Sequence, residues 1–191
     1  MITLGIIVGS TRPGRVGTQV GRWARERALT VPGVHVELVD LAAVALPFLD
    51  EPREASSGIY TRPHTREWSS QVTQMDAIVL VTPEYNNSFP ATLKNALDFL
   101  YSEWQRKPVA MIGYGMTSAG TRAVAALTPV VVALGMVPAG AVYLPLRRHI
   151  DDTGHLTTGA NADEGLDELL ADLLGWAALL RDSVEPSSVP S

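Results

Sequence analysis

The sequence predicts an α/β protein in which helices cover both faces of a five-stranded parallel sheet. Apolar runs of strand length alternate along the chain with longer segments that carry a helical apolar face. The run at 78–81 is unbroken and mostly β-branched, as expected of a parallel strand that is buried on both faces. A chain of 191 residues is about the size of one domain. We therefore predict one domain over residues 1–181 and a disordered tail, rich in proline and serine, over 182–191.

The other elements follow from the same patterns. We predict further strands at 2–8, 34–39, 109–112 and 136–143, and helices that begin near Val16, cover 65–75, begin at Pro90, and cover 122–134 and 163–180. Residues 41–63 and 144–159 contain prolines and glycines and are predicted to be irregular. Right-handed crossovers between five such strands give a flavodoxin-like sheet in the order 2-1-3-4-5. In this order the loops after the first and third strands meet where the sheet reverses its direction of growth, which is where open α/β sheets bind ligands.

Composition excludes several classes of function. The net charge of -5 gives no electrostatic reason to expect nucleic acid or an anionic membrane as a partner. The chain has no cysteine, which excludes disulfides, thiolate nucleophiles and cysteine-ligated metal centres, so redox chemistry would need a bound cofactor. The uncharged stretch at 123–146 is long enough to span a bilayer, but prolines and glycines divide it into a helix and a strand. We expect a cytoplasmic protein, because the N-terminus shows no cleavable signal pattern.

The loop after the first strand, residues 9–15, is suited to bind a phosphate. It contains two glycines, two hydroxyl side chains and two arginines directly before a predicted helix. In such a loop, backbone N–H groups and a guanidinium can converge on an anion. The loop matches neither a Walker A motif nor the Gly-x-Gly-x-x-Gly fingerprint of dinucleotide sites. A turn that merely contains polar residues is the alternative.

The loop after the third strand, residues 83–89, has no acid–base pair, no metal-ligand spacing and no nucleophile beside a histidine. We predict no metal ligand, and we name no catalytic residue, because redox chemistry here would belong to a bound cofactor. Tyr85 and Asn86 suit stacking and hydrogen bonding on a flat heterocycle, whereas Glu84 could be a solvated turn residue. The glycine-rich loop at 113–120 should lie beside it, with a plain turn into a helix as the alternative.

Two motifs in these loops are similar to those of a known family. They are Gly9-Ser10-Thr11-Arg12 and the longer, more specific Pro83-Glu84-Tyr85-Asn86-x-Ser88-x-Pro90-x-x-Leu93-Lys94-Asn95-x-Leu97-Asp98, with the segment 113–122 at the right distance. Together they resemble the NADPH-dependent FMN reductase family of flavodoxin-like proteins, and the similarity covers roughly residues 1–145.

The resemblance implies FMN as a bound cofactor. It implies that the FMN phosphate is held by Ser10, Arg12 and the backbone amides of Arg15, Val16, Gly17 and Thr18. It further implies that the isoalloxazine contacts Pro83, Glu84, Tyr85, Asn86 and Asn87, with Tyr114 and Gly115 at its other edge. The chain departs from the family pattern at Arg15, where many members have serine, and at Ala119, where glycine is frequent. Arg15 is expected to add a second positive charge at the phosphate.

The resemblance also implies an FMN-dependent NAD(P)H oxidoreductase that uses NADPH or NADH as co-substrate. The flavin would accept hydride and pass electrons to a small acceptor such as free flavin, a quinone or an azo compound. One alternative is a flavodoxin-type electron carrier that does not itself oxidise NAD(P)H. Another is a flavin-free protein that uses the loops for a nucleotide substrate. His149, next to Arg147 and Arg148, could contact a nicotinamide-cofactor phosphate, but we interpret this segment as a basic surface loop.

We also predict a homodimer or homotetramer with the helix at 90–104 near its interface. Phe89, Phe99, Tyr101 and Trp104 give this segment more aromatic surface than one core-facing stripe can bury. The family resemblance points the same way, because the family's flavin sites are commonly completed by a partner subunit.

Overall fold

The fold is a three-layer α/β/α sandwich around one parallel sheet. The computed structural model describes residues 1–182, so all but the first residue of the predicted tail lies outside the described residues. The five strands run parallel in the order 2-1-3-4-5, which confirms the predicted topology. They are β1 (Ile2–Val8), β2 (Val34–Asp40), β3 (Ala77–Pro83), β4 (Pro108–Gly115) and β5 (Val137–Pro145).

Helices cover both faces of the sheet. They are α1 (Gly17–Ala28), α2 (Leu41–Val44), α3 (Pro63–Thr73), α4 (Ala91–Asp98), α5 (Thr121–Ala133), α6 (Leu146–His149) and α7 (Ala160–Asp182), with short 3-10 turns at Ala55–Ser57 and Ser102–Trp104. The apolar faces of α1 and α7 bury one side of the sheet, and those of α3, α4 and α5 bury the other. Within residues 1–182, no helix combines the length and apolar character needed to cross a bilayer.

The central strand β3 shows why its sequence reads as one continuous apolar run. Successive side chains of a strand point to opposite faces. Val79 and Val81 accordingly pack against the α1 and α7 side, while Ile78 and Leu80 pack against the α3, α4 and α5 side. Because both faces are covered, no position in the strand can be polar without losing its hydration.

Several local predictions differ from the structure. Helix α2 lies within the segment 41–63 that was predicted to be irregular, and α4 ends at Asp98, before the predicted end of this helix at residue 104. Pro90 has an extended conformation, with φ of -63° and ψ of 144°, and precedes α4 instead of forming its first residue. Residues 146–149 are not part of an irregular loop but form α6, directly after β5. The hairpin-like segment that follows α6 is closed by an antiparallel bridge between Ile150 and Leu156.

The predicted aromatic surplus on the segment 90–104 is wrong. Phe99 and Trp104 are fully buried within the chain's own core. The Trp104 ring packs edge-on against Trp68, and the Phe99 ring packs edge-on against His64, with centroids 6.1 and 5.7 Å apart. Both partners come from α3, a helix that the sequence argument did not place beside this segment. Tyr101 alone of these aromatic side chains is clearly exposed.

The connecting segment 45–62 is attached to α4 near its start. Asn95 fastens it: its Nδ2 donates to the Pro47 carbonyl at 2.7 Å, and its Oδ1 accepts from the Leu49 N–H at 3.0 Å. Phe48, between these two anchored residues, is the most exposed large aromatic side chain of the described residues. The segment is thus held in place with apolar side chains directed at solvent.

Candidate functional site

Three loops meet at the carboxyl edge of the sheet. They follow β1, β3 and β4, which are adjacent strands, and comprise residues 9–16, 84–90 and 116–120. Val8 is the register partner of Val81, and Pro83 is the partner of Tyr114, so the three strands end at a similar height. The Glu84 N–H also donates to the Tyr114 carbonyl at 3.1 Å. The structure thus brings these loops together with the adjoining ends of β3 and β4 and the start of α1, and the predicted site residues all lie in these segments.

The first loop is closely packed around Ser10. The Ser10 hydroxyl is fully buried and lies 3.1 Å from the Tyr114 hydroxyl. A Cβ atom at Gly17 would lie only 2.4 Å from Ser10 Oγ and 2.6 Å from the Tyr114 oxygen. A larger residue at position 17 would therefore displace the Ser10 and Tyr114 hydroxyls from their contact. This close contact, and not the backbone freedom of glycine, therefore explains why α1 begins with a glycine.

The two arginines of the first loop have different environments. Arg15 forms an ion pair with Asp40 Oδ2 at 2.5 Å, while Asp40 Oδ1 caps α2 by accepting from the Ala42 N–H. Arg12 is exposed and forms no ion pair with any described residue. The charge of Arg15 is therefore already compensated within the protein, whereas that of Arg12 is available. No local pattern indicates this difference, because Asp40 lies 25 residues from Arg15 in the sequence.

The first turn of α1 is not capped by a side chain. Val16 occupies the N-cap position and makes no side-chain capping bond. Helix N-termini carry backbone N–H groups without intrahelical partners, and these favour an anion. Together with the exposed Arg12, the start of α1 can therefore receive a phosphate.

The second loop is a tight turn with two asparagines at its tip. Tyr85 and Ser88 exchange both backbone hydrogen bonds, at 2.8 and 3.0 Å. Asn86 and Asn87 have φ angles of 48° and 67°. Positive φ at both central residues is typical of a type I′ turn, and asparagine tolerates it better than most residues. Tyr85 stays partly exposed beside the turn, at 36% of its surface.

Glu84 is not a solvated turn residue but connects the second and third loops. Its side chain is 9% exposed and accepts from the Arg122 backbone N–H at 3.1 Å and from the Arg122 guanidinium at 3.2 Å. The same guanidinium donates to Asn87 Oδ1 at 3.0 Å. Hydrogen bonds from Ser118 and Arg122 hold the pKa of Glu84 below its ordinary value. No local sequence pattern indicates a role for Arg122 or Ser118, because both are distant from Glu84 in the sequence.

The third loop returns closely onto β4. A Cβ at Gly120 would lie 2.3 Å from the Tyr114 nitrogen, and the residue has a φ of 86°, so glycine is required there on both counts. Ala119 also has a positive φ, 54°. Glycine adopts such a backbone conformation more readily than alanine, so alanine at this position has a conformational cost. Burial raises the pKa of Tyr114 to about 12, so its hydroxyl is neutral at physiological pH.

No metal centre accompanies these loops. Among residues 1–182, no group of three or more His, Asp or Glu side chains is placed to hold a metal ion. The three loops offer a ligand the guanidinium of Arg12, backbone amides, neutral hydroxyls and the ring of Tyr85.

Comparisons with known proteins place the chain among flavin enzymes. The family model described as NADPH-dependent FMN reductase matches residues 2–149. An NAD(P)H-dependent FMN reductase of Schizosaccharomyces pombe is 41% identical over 112 residues, which is 58% of this chain and 56% of the relative. An NAD(P)H-dependent FMN reductase of a Nectria species is 32% identical over 173 residues, 86% of this chain and 85% of the relative. The chain thus spans just over half of the first relative and most of the second.

A solved structure supports the fold. FerB, a flavoenzyme NAD(P)H:(acceptor) oxidoreductase from Paracoccus denitrificans, superposes with a TM-score of 0.68 over 95% of this chain and 98% of FerB. The identity is 20%, so the comparison shows a shared fold alone.

Proposed function

The chain belongs to the NADPH-dependent FMN reductase family, and we propose that it is an FMN-dependent NAD(P)H oxidoreductase. When bound, FMN supplies the redox chemistry, taking hydride from NADPH or NADH and passing electrons to a small acceptor such as free flavin, a quinone or an azo compound. The observation that carries this proposal is the convergence of the three loops beside an exposed, uncompensated Arg12.

The residues of the first loop fit a flavin phosphate. We assign the phosphate to Arg12, Ser10 and the backbone amides of residues 15–18, namely Arg15, Val16, Gly17 and Thr18. The guanidinium of Arg15 is left out of this assignment, because Asp40 already neutralises it. The missing Cβ of Gly17 leaves the buried Ser10 hydroxyl in contact with Tyr114. The first loop is therefore positioned by β4 before any ligand binds.

The second and third loops fit the edge of a flat ring. We assign the isoalloxazine to the turn Pro83, Glu84, Tyr85, Asn86 and Asn87, with Tyr114 and Gly115 at the opposite edge. The ion pair of Glu84 with Arg122 fixes this turn, so its backbone amides need little reorganisation on binding. The chain's own role is thus to bind, orient and exclude water, and no general acid or base is assigned.

Direct reduction of the bound flavin by NADPH separates this proposal from an electron carrier. FMN-loaded protein mixed rapidly with NADPH without oxygen should lose the visible absorbance of oxidised flavin, and added quinone should restore it. A carrier would hold FMN that NADPH does not reduce. Protein that binds no flavin at all would support the third interpretation, a flavin-free protein with a nucleotide substrate.

We further propose that the chain forms a homodimer or homotetramer through the surface beside α4. Of the residues that the sequence indicated, Tyr101 is exposed there, and Phe48 and Leu49, which the sequence did not indicate, are exposed beside α4 as well. Asn95 holds the backbone on both sides of Phe48, so these side chains are presented in a fixed arrangement. A monomeric mass by light scattering at micromolar concentration would count decisively against this oligomer.

A cytoplasmic location remains a prediction that cell fractionation can test.

A further inference from the structure

A cleft of about 600 Å³ opens at the carboxyl end of β5, between this strand, α6 and the start of α7. Its volume lies within the range of small-molecule sites, roughly 300 to 1,000 Å³. None of the functional assignments above uses it. It includes part of the basic segment that the sequence suggested to be only a solvated loop.

The chemistry of the cleft suits a phosphorylated aromatic ligand. Arg148 lines it, is exposed and forms no ion pair with any described residue. His149 also lines it, and its Nδ1 lies 3.2 Å from the Thr157 carbonyl. Because a carbonyl only accepts, Nδ1 carries the proton and Nε2 is left for another partner. Tyr143 adds a ring that is 43% exposed, and none of the described lining residues is acidic.

The cleft lies next to the proposed flavin site. Pro145, which lines it, is the register partner of Gly115, the residue assigned to one edge of the isoalloxazine. Neighbouring strands are about 4.8 Å apart, so the cleft begins one strand beyond the flavin edge. A ligand that reacts at the flavin and extends along the sheet edge would enter it.

A second cleft, of about 870 Å³, is a weaker candidate for the same ligand. It runs along α1 and contains the exposed Arg22, but Glu26 also lines it. A carboxylate one helical turn from the arginine repels a phosphate and competes for the guanidinium. The β5 cleft offers the guanidinium of Arg148 without this competition.

We infer that the β5 cleft binds the adenosine 2′-phosphate end of NADPH, with Arg148 contacting the phosphate and Tyr143 stacking on the adenine. This inference rests on the proposed function, since it names where the co-substrate of that same site extends. A guanidinium binds phosphate oxygens through two parallel hydrogen bonds, and aromatic side chains stack on nucleic-acid bases. NADH lacks the 2′-phosphate but has the adenine, so the two residues act on different parts of the ligand.

Substitutions of these residues should have different kinetic signatures. Arg148→Ala should raise the KM for NADPH roughly 10- to 150-fold, as expected for the loss of a hydrogen bond between charged groups, and leave the KM for NADH and both kcat values unchanged. Tyr143→Leu should raise the KM for NADPH and NADH alike, by about fivefold or more. Arg147→Ala is the matched control, because Arg147 is exposed in the same helix α6 but does not line the cleft. It should change neither KM.

A binding measurement separates this inference from the proposed function. Calorimetry with 2′,5′-ADP should show binding to the parent and to Arg147→Ala, and a loss of affinity in Arg148→Ala. Equal effects of Arg148→Ala on NADPH and NADH, an Arg147→Ala effect of the same size, or no 2′,5′-ADP binding would each overturn the inference. If the parent oxidises neither cofactor, the proposed function fails, and the calorimetry alone then decides whether the cleft binds the nucleotide.

Discussion

Arg12 and Arg15 lie three residues apart in one loop, yet only Arg12 has its charge available to a ligand. The sequence pointed to both, because a phosphate loop favours cations and local spacing cannot distinguish them. The distinction depends on Asp40, which reaches the loop only after β2 has paired with β1. The partner of Glu84 could not be predicted for the same reason. From the local sequence alone Glu84 could be a solvated turn residue, because Arg122 lies 38 residues further along the chain. The motifs therefore predict which residues lie in the loops. They do not predict which charges are paired, because the pairing depends on tertiary contacts.

Substitution of Arg12 tests the phosphate assignment. Arg12→Ala should weaken FMN binding roughly 10- to 150-fold, because a hydrogen bond between charged groups contributes about 1.5 to 3 kcal/mol. Riboflavin lacks the phosphate and should bind parent and variant almost equally, which dissociation constants from flavin fluorescence can show. Arg25→Ala, which removes an exposed arginine further along α1, serves as the control and should alter neither affinity. Equal losses for FMN and riboflavin would remove Arg12 from the phosphate site.

At the scale of elements, side-chain contacts between segments that are distant in sequence hold the site and the sheet together. Arg122, in the first turn of α5, fixes the turn after β3 through Glu84 and Asn87. Lys107, just before β4, fixes the end of α3: its Nζ donates to the carbonyls of Val72 and Met75 at 2.6 and 2.5 Å. Neither contact has a sequence periodicity, so neither could be predicted.

Arg122 is expected to act on both flavins, in contrast to Arg12. The Arg122 side chain is 57% exposed, so its ion pair contributes at most about 1 kcal/mol, and Arg122→Ala should weaken FMN and riboflavin alike by up to about fivefold. The same fluorescence titrations measure this. A loss confined to FMN would mean that Arg122 contacts the phosphate, and no loss with either ligand would show that the two loops do not depend on it.

Lys107 should contribute to the free energy of unfolding. Lys107→Met removes the charged donor that these carbonyls share and should lower this free energy by about 2 kcal/mol in urea titrations. Lys94, the chain's other lysine, forms an exposed pair with Asp98, and Lys94→Met should change it by less than about 0.5 kcal/mol. A smaller effect for Lys107→Met than for Lys94→Met would contradict the structural role.

The pH dependence of unfolding provides an independent check on Lys107. Burial lowers its pKa to about 8, whereas in the unfolded chain a lysine titrates near about 10.4. Between these values the unfolded chain holds more protons than the folded one, so the free energy of unfolding should rise with pH across this window. Lys107→Met should lose this rise and Lys94→Met should keep it. A parent profile that falls between these pH values would contradict the assignment.

For the whole molecule, the fold could be predicted from patterns that are present in short stretches of the sequence. Alternating apolar runs and amphipathic segments sufficed for the sheet order, because crossover handedness leaves few topologies. The burial of Phe99 and Trp104 could not be predicted, since it depends on the packing of α3 against them. The loops that contain the predicted site residues lie together because they follow adjacent strands. Helix α6 and the cleft beside it could not be predicted, because no local sequence pattern indicates them.

We propose that the three loops form one FMN site in each chain. Calorimetric titration of flavin-free protein with FMN gives both the stoichiometry and the affinity of this site in one experiment. We expect saturable binding of one FMN per chain, in protein that folds before the flavin is added. No measurable affinity for FMN, or saturation at a ratio other than one per chain, would contradict it.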